Sequence, residues 1–246
     1  YKPKYGDVSP FVNVGAWSLS ERVARPHGLN DLPGGGTALD TNLVNATLMT
    51  YQVGLDWQID KDVKWTNAAT YYDFDHYEQT YSNARGNTVY SVPVTSPLGA
   101  AGSYNRITDF RMINLTSMVS WKMCNLPFSA YVDFVHNCAD NVDTLHYRDQ
   151  DNGYAVGLKV GANKKKGDWS LGYKYAWIEA NCTPGGFNDA DFGGSNRKGH
   201  AFSGVYNLAD YLTLGATLFI TEPIAGPTAD AGYKDISTRF DLIWQF

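Results

Sequence analysis

The sequence predicts an all-β fold, a transmembrane antiparallel up-and-down β-barrel, with residues 1–246 as a single domain. Three observations predict it. Stretches of alternating oily and polar residues recur along the chain. The connections between them alternate long and short. The tryptophans collect beside the short connections. A strand has a side-chain period of two, so alternation sorts residues onto opposite faces of a sheet. In a membrane barrel the oily face meets lipid and the polar face a watery lumen.

The alternation is clearest at the carboxy-terminal end. Ile236, Thr238, Phe240, Leu242, Trp244 and Phe246 share one parity, and Ser237, Arg239, Asp241, Ile243 and Gln245 the other. Met49 to Ile59 opposes Thr50 to Gln58 in the same way. Ile113, Leu115, Ser117, Val119 and Trp121 oppose Asn114, Thr116, Ser120 and Lys122. Phe128 to Phe134, Tyr154 to Val160, Trp169 to Trp177 and Leu212 to Ile220 complete the clean set. Pro10 to Leu19, Val63 to Phe74 and His200 to Leu208 read as strands with less regular faces, and Asn67 falls on the oily one. That makes about ten strands.

Between them, Asp60–Asp62, Cys124–Pro127, Lys164–Asp168 and Ala209–Tyr211 are short. Glu21–Asn42, Glu78–Arg106, Ala139–Asp151, Asn181–Arg197 and Pro223–Asp235 are long. A meander then gathers the short turns at one end and the long loops at the other, as outer-membrane barrels do. Trp57, Trp65, Trp121, Trp169 and Trp244, with Phe246, lie near the turn end at oily parity. They form an expected membrane-interface girdle, where an indole satisfies both its apolar body and its N–H. Tyr71, Phe134, Tyr154, Tyr175 and Trp177 suggest a second ring near the loops. A soluble sandwich also alternates, but has no reason to sort loop length by end or tryptophan by height.

Composition narrows the function classes. No run of eighteen apolar residues occurs, so a membrane-spanning helix is excluded. A net charge of −5 argues against nucleic acid as a partner. The chain opens at Tyr1 without a Met or a leader, which suggests that a signal peptide or further barrel precedes it.

Polar parity assigns Asp56, Lys122, Asp133, Lys159, Lys174, Arg239 and Asp241 to the lumen, with Lys64 near the turns. The mixed signs favour neither anions nor cations. Cys138 and Cys182 both fall near the loop end, where a disulfide could pin two loops; Cys124 falls at the turn end. Asn188-Asp-Ala-Asp-Phe-Gly-Gly194 offers oxygens at alternate positions, with Asp189 and Asp191 as weak calcium candidates. His200 stands where a complete calcium loop needs a carboxylate, so a turn-rich loop is the default reading and no metal or cofactor is expected. The scattered histidines His27, His76, His136, His146 and His200 form no recognisable triad, so catalysis is not expected. The triplets beginning at Asn45, Asn114 and Asn181 fit a glycan pattern by chance. The long segment Glu78–Arg106 is expected to present a binding surface or to fold inward as a constriction.

From Asn152-Gly-Tyr-Ala-Val-Gly-Leu-Lys-Val-Gly161 through Asn163-Lys-Lys-Lys-Gly-Asp-Trp169, Gly172–Ala180, Phe187–Gly194, Lys198-Gly-His200 and Leu212–Glu222 to the last strand, the chain resembles the bacterial "putative porin" family of outer-membrane β-barrels. Val63 to His76, with Tyr71-Tyr-Asp-Phe-Asp75, is similar too, though more loosely. The resemblance implies the carboxy-terminal portion of such a barrel, or a short member; ten strands alone make a narrow barrel, and a barrel of about sixteen would leave an aqueous channel. The resemblance further implies passive diffusion of ions and small hydrophilic solutes across the outer membrane of Gram-negative bacteria. The alternative is a non-conducting structural or adhesion barrel acting through its loops. Implied partners are outer-membrane lipid, small hydrophilic solutes, the barrel-assembly machinery at the last strand, and further copies in a homotrimer.

Overall fold

The computed structural model describes residues 7–19, 46–77, 87–95, 101–139, 149–226 and 232–245, with 89–95 and 101–107 described by backbone alone. In chain order the strands are β1 (Val8–Leu19), β2 (Ala46–Gln58), β3 (Val63–Asp75), β4 (Val89–Thr95), β5 (Ala101–Ile107), β6 (Arg111–Met123), β7 (Leu126–Asn137), β8 (Asn152–Gly161), β9 (Trp169–Ile178), β10 (Arg197–Ala209), β11 (Leu212–Pro223) and β12 (Asp235–Trp244). Ten of them form one antiparallel sheet in the order β1-β2-β3-β6-β7-β8-β9-β10-β11-β12, so every strand pairs with its sequence neighbour except where β4 and β5 intervene. All ten expected strands are present. Among the described residues β1 and β12 do not pair, and the sheet is open along that seam.

β4 and β5 pair only with each other. They lie inside the segment that the sequence reading took for a loop. Val89-Tyr-Ser-Val-Pro-Val-Thr95 has strand composition, but Pro93 argues against a central strand and is at home in a separate two-stranded ribbon.

Register preserves the two faces across the whole sheet. Val53, Ala69, Leu115, Phe134 and Tyr154 form one lateral row of the apolar face. Gln52, Thr70 and Asn114 form a row of the polar face. The burial is the reverse of a soluble protein's. Val53 is 57 % exposed and Phe240 75 %, whereas Asp56 is 8 %, Thr70 5 % and Ser170 3 % exposed. Apolar exposure on this scale marks a surface that meets another apolar phase.

The short turns are built locally. Cys124 and Asn125 both have positive φ (50° and 63°), as a two-residue type I′ hairpin requires. At Asp60 the carboxylate Oδ1 accepts the amides of Asp62 (2.7 Å) and Val63 (2.9 Å). Asp168 Oδ2 accepts those of Lys164 and Lys165, and Asp210 accepts that of Lys166 from the neighbouring turn. Each carboxylate satisfies amides that the strand ladder leaves over.

Candidate functional site: the polar face and its inward loop

The segment between β9 and β10 folds back across the polar face. Phe192 is buried against Ala176, Ala201 and Phe219, with Ala155 and Ile178 around them. Small side chains on β8, β9 and β10 leave the room that its ring fills. Phe187, in the 3-10 turn Gly185–Phe187, reaches the other way. Its ring lies 5.5 Å from that of Phe74 on β3 and 5.9 Å from that of Tyr77. These belong to a second apolar cluster with Ala46, Leu48, Phe110 and Met112.

The tip of the loop is tied to the wall by charge. Asp189 lies 3.9 Å from Lys174 on β9. Asp191 accepts Arg239 of β12 at 2.5 Å, and Arg239 also donates to Asp241. Lys174 Nζ stands 4.9 Å from the centre of the Phe192 ring. One loop therefore touches β3, β9 and β12, which makes the polar face the enclosed side of the sheet.

The base of the loop hangs on buried asparagines. Asn87 Nδ2 shares its hydrogens among Ala180 O (2.7 Å), Thr183 O (2.8 Å) and Ser195 Oγ (3.2 Å), and its Oδ1 accepts Gly185 N at 2.7 Å. Asn181 Oδ1 accepts Thr88 N. Asn137 Nδ2 donates to Asp109 O and Asn181 O, and its Oδ1 accepts Arg111 N and Ala139 N. Asn196 exchanges two bonds with Ala225. Asn188 donates to Thr183 Oγ1 and Ser195 Oγ. An amide carries two donors and an acceptor with two lone pairs, so one buried asparagine can close several loop backbones at once.

Between the loop and β7–β9 lies a cavity of about 210 Å³, lined by Asp133, Lys174, Asn188, Asp189 and the two loop phenylalanines, among others. Asp133 Oδ1 accepts Asn114 Nδ2 (2.6 Å) and Thr116 Oγ1 (2.8 Å) across the β6–β7 ladder. Lower down, Asp56 pairs with Lys64 at 3.3 Å and accepts Thr66 Oγ1 at 2.7 Å. A larger depression, about 690 Å³, sits on the apolar face instead, where Asn67, Ala69 and Ser117 are small beside Leu55, Leu115 and Phe134.

The structure places Asp56, Lys122, Asp133, Lys159, Lys174, Arg239 and Asp241 on the polar face by register. It brings Lys174 and Arg239 to the loop tip, joins Asp56 to Lys64, and leaves Lys122 and Lys159 toward the turns. Trp57, Trp65, Trp121, Trp169 and Trp244 lie at the turn end of the apolar face. Trp57 stacks on Trp65 at 6.1 Å and Trp121 on Phe128 at 5.5 Å. Trp65 Nε1 donates to Ser117 Oγ at 2.8 Å, so a polar side chain on the oily face has a partner. Phe246, Asn45, His27 and His146 lie outside the described residues.

One expectation is corrected. Cys138 and Cys182 are not bridged. Cys138 is exposed, whereas Cys182 is buried under the loop base with its Sγ donating to Glu179 O at 3.2 Å. Burial pushes the Cys182 thiol up to about 12. Gly153 makes room for it: a Cβ there would come within 2.9 Å of Cys182 Sγ and Val135 Cγ1. Asp189 and Asp191 do not converge on a cation. They diverge to Lys174 and Arg239, and Asp189 Oδ1 accepts the amide of Asp191. Among the described residues no three His, Cys, Asp or Glu side chains gather as metal ligands. The Glu78–Arg106 segment contributes the β4–β5 ribbon and the Asn87 anchor, and its residues 78–86 and 96–100 lie outside the described residues. Sequence reasoning missed the asparagines, because a buried Asn and a turn Asn look alike in one sequence. The phenylalanines at 187 and 192, in an otherwise polar loop, were the available signal.

A protein-family model described as putative porin matches residues 85–240, more than half of the chain. No curated protein matches the sequence.

Proposed function

The chain belongs to the putative porin family, and from that premise we propose that it is an outer-membrane β-barrel through which ions and small hydrophilic solutes diffuse. The observation that carries the reading is the inverted burial of one continuous sheet. Its oily side chains are exposed and its polar ones enclosed. Lipid is the phase that welcomes the first face, and water the phase that fills the second. The turn-end tryptophans and the loop-end tyrosines then mark the two interfaces.

In this reading the β9–β10 loop is the constriction. A solute crossing the lumen passes Asp133 on one side and the loop tip on the other. Charges of both signs line that passage and largely pair with one another. Selectivity follows from size and local field rather than from one dominant sign. The narrow polar space left beside the loop favours a second reading, a non-conducting structural barrel acting at the cell surface.

Single-channel recording in a planar bilayer separates the two. Reproducible conductance steps that grow when Ala180–Asn196 is replaced by a short Gly/Ser linker support diffusion. Silence from protein that is folded and inserted, in both forms, supports the structural role. The face assignment has its own check. Leu115→Arg in the middle of the apolar face should cost about 2–4 kcal/mol in a lipid-vesicle unfolding titration, and the neighbouring Thr116→Lys, facing Asp133, far less. Equal costs would remove the membrane reading.

A further inference from the structure

At the loop end of β10 and β11 the apolar face gives way to an ion cluster that neither the lumen nor the loop uses. Lys198 stands opposite Glu222 on one side and Trp177 on the other. Its Nζ lies 3.2 Å from Glu222 Oε1 and 4.9 Å from the centre of the Trp177 ring. Lys234 Nζ lies 3.7 Å from Glu222 Oε2. The two lysines, with Tyr175, His200 and Ile220, line a cavity of about 230 Å³.

Glu222 is the one carboxylate in the cavity lining against two ammonium groups. The nearby Glu179 is taken up by the Trp177 indole (3.2 Å) and Asn152 N (2.8 Å), so the lining carries a net positive charge before His200 is counted. Each ammonium has three donors, and ion pairing with the single Glu222 carboxylate leaves most of them over. Elsewhere at this end of the face, Asp73 stands opposite Arg111, a balanced pair. The cation excess is therefore local. Two same-face rows toward the turns, past His200 opposite Ile220, Phe202 stands opposite Leu218, both apolar. A soluble anion would meet the lysines but leave that oily surface bare. An anion carrying hydrocarbon chains satisfies both.

We propose that this cavity binds the phosphate headgroup of a membrane lipid, with acyl chains running down the row of Phe202 and Leu218. The inference rests on the membrane reading above. Lysines at an interface attract anionic headgroups, and aromatic side chains fix the depth at which they meet them.

The test is native mass spectrometry of the detergent-solubilised full chain titrated with dioleoyl phosphatidic acid or dioleoyl phosphatidylcholine. Wild type should hold the phosphatidic acid about tenfold more tightly. Lys198→Gln with Lys234→Gln should erase that preference. Glu222→Gln, which frees both ammonium groups, should strengthen it, and this opposite sign guards against a variant that merely misfolds. Lys61→Gln with Lys165→Gln removes the same charge at the turn end and should change nothing. The proposal is overturned if the Lys198/Lys234 pair binds like wild type, if the turn-end pair loses as much, or if Glu222→Gln has no effect. Displacement of the lipid by millimolar inorganic phosphate would make this a soluble-anion site and overturn the lipid assignment. Protein that stays soluble without detergent sinks the membrane reading itself, whereas an inserted barrel without lipid preference sinks only this site.

Discussion

The two ends of the sheet are held by different physics. At the turn end, closure is mostly local: a pair of left-handed residues at Cys124 and Asn125, or an aspartate bonding amides two and three positions on, with Asp210 adding one bond to the neighbouring turn. At the loop end, the β9–β10 segment is closed by side chains from far along the chain. Asn87 reaches Gly185 and Asn137 reaches Asn181. Local closure costs little chain entropy and survives single losses. Distant closure must offset a larger ordering cost, so it concentrates its bonds on a few buried amides. The loop end is therefore where one substitution releases a whole segment.

Two thiols report the contrast most sharply. Cys124 sits exposed at the turn end and Cys182 is buried at the loop end, its thiol raised to about 12. The thiolate is the reactive form, so at pH 8 a thiol held up near 12 should be alkylated about a thousandfold more slowly than an ordinary one. Maleimide labelling followed by mass spectrometry measures it. Cys124 and Cys138 should label and Cys182 should not. The same shift carries a stability sign. Because the folded value is raised, its contribution is complete below the ordinary thiol value near 9 and is lost as pH climbs toward about 12. Fast labelling of all three thiols in the folded protein would break the contrast.

Next in size is Asn87→Ala. It leaves buried partners in three separate stretches of the loop without their bonds, each loss worth about 1–3 kcal/mol, of which water entry recovers part. We expect about 2–3 kcal/mol of local stability to go. Amide exchange over residues 181–195 should then rise on the order of a hundredfold, with the turn-end amides unchanged. Cys182 should become alkylable in the same variant. The matching change at the other end is Asp60→Ala. It removes a two-amide turn bond exposed to water, and about 1 kcal/mol should be lost without any distant effect. If exchange spread equally from both substitutions, the division into local and distant closure would fail.

The same division explains what could be read in advance. The ten strands and their faces were legible because period two is written in adjacent residues, as in Leu212-Thr-Leu-Gly-Ala-Thr-Leu218. The short turns were legible from Asp60, Asn125 and Gly167 for the same reason. The polar-face set followed from parity alone. What lay beyond reach depends on residues that meet only in the fold. Nothing near Asn87 announces that it anchors a segment a hundred positions on, and nothing singled out Asn181–Arg197 as a segment that folds inward. Cys138 and Cys182 both lie at the loop end. Height alone did not reveal that one faces solvent while the other points into the loop base.

The smallest expected effect lies at the tip of the loop. Arg239 and Asp191 are each nearly half exposed, so their short contact is screened by solvent and contributes little. Arg239→Gln should leave the exchange of the asparagine-anchored base unchanged and loosen only residues near 189–192. Phe192 keeps its seat on Ala176, Ala201 and Phe219, so the loop stays in place while its charged edge moves. The signature to look for is salt dependence. Wild-type exchange at the tip should rise toward that of the variant as ionic strength increases and the ion pair is screened, while exchange at the base ignores salt. A tip that stays protected at high salt and in Arg239→Gln would mean that packing alone holds it. The charges along the lumen would then be free to act on solute rather than on the loop.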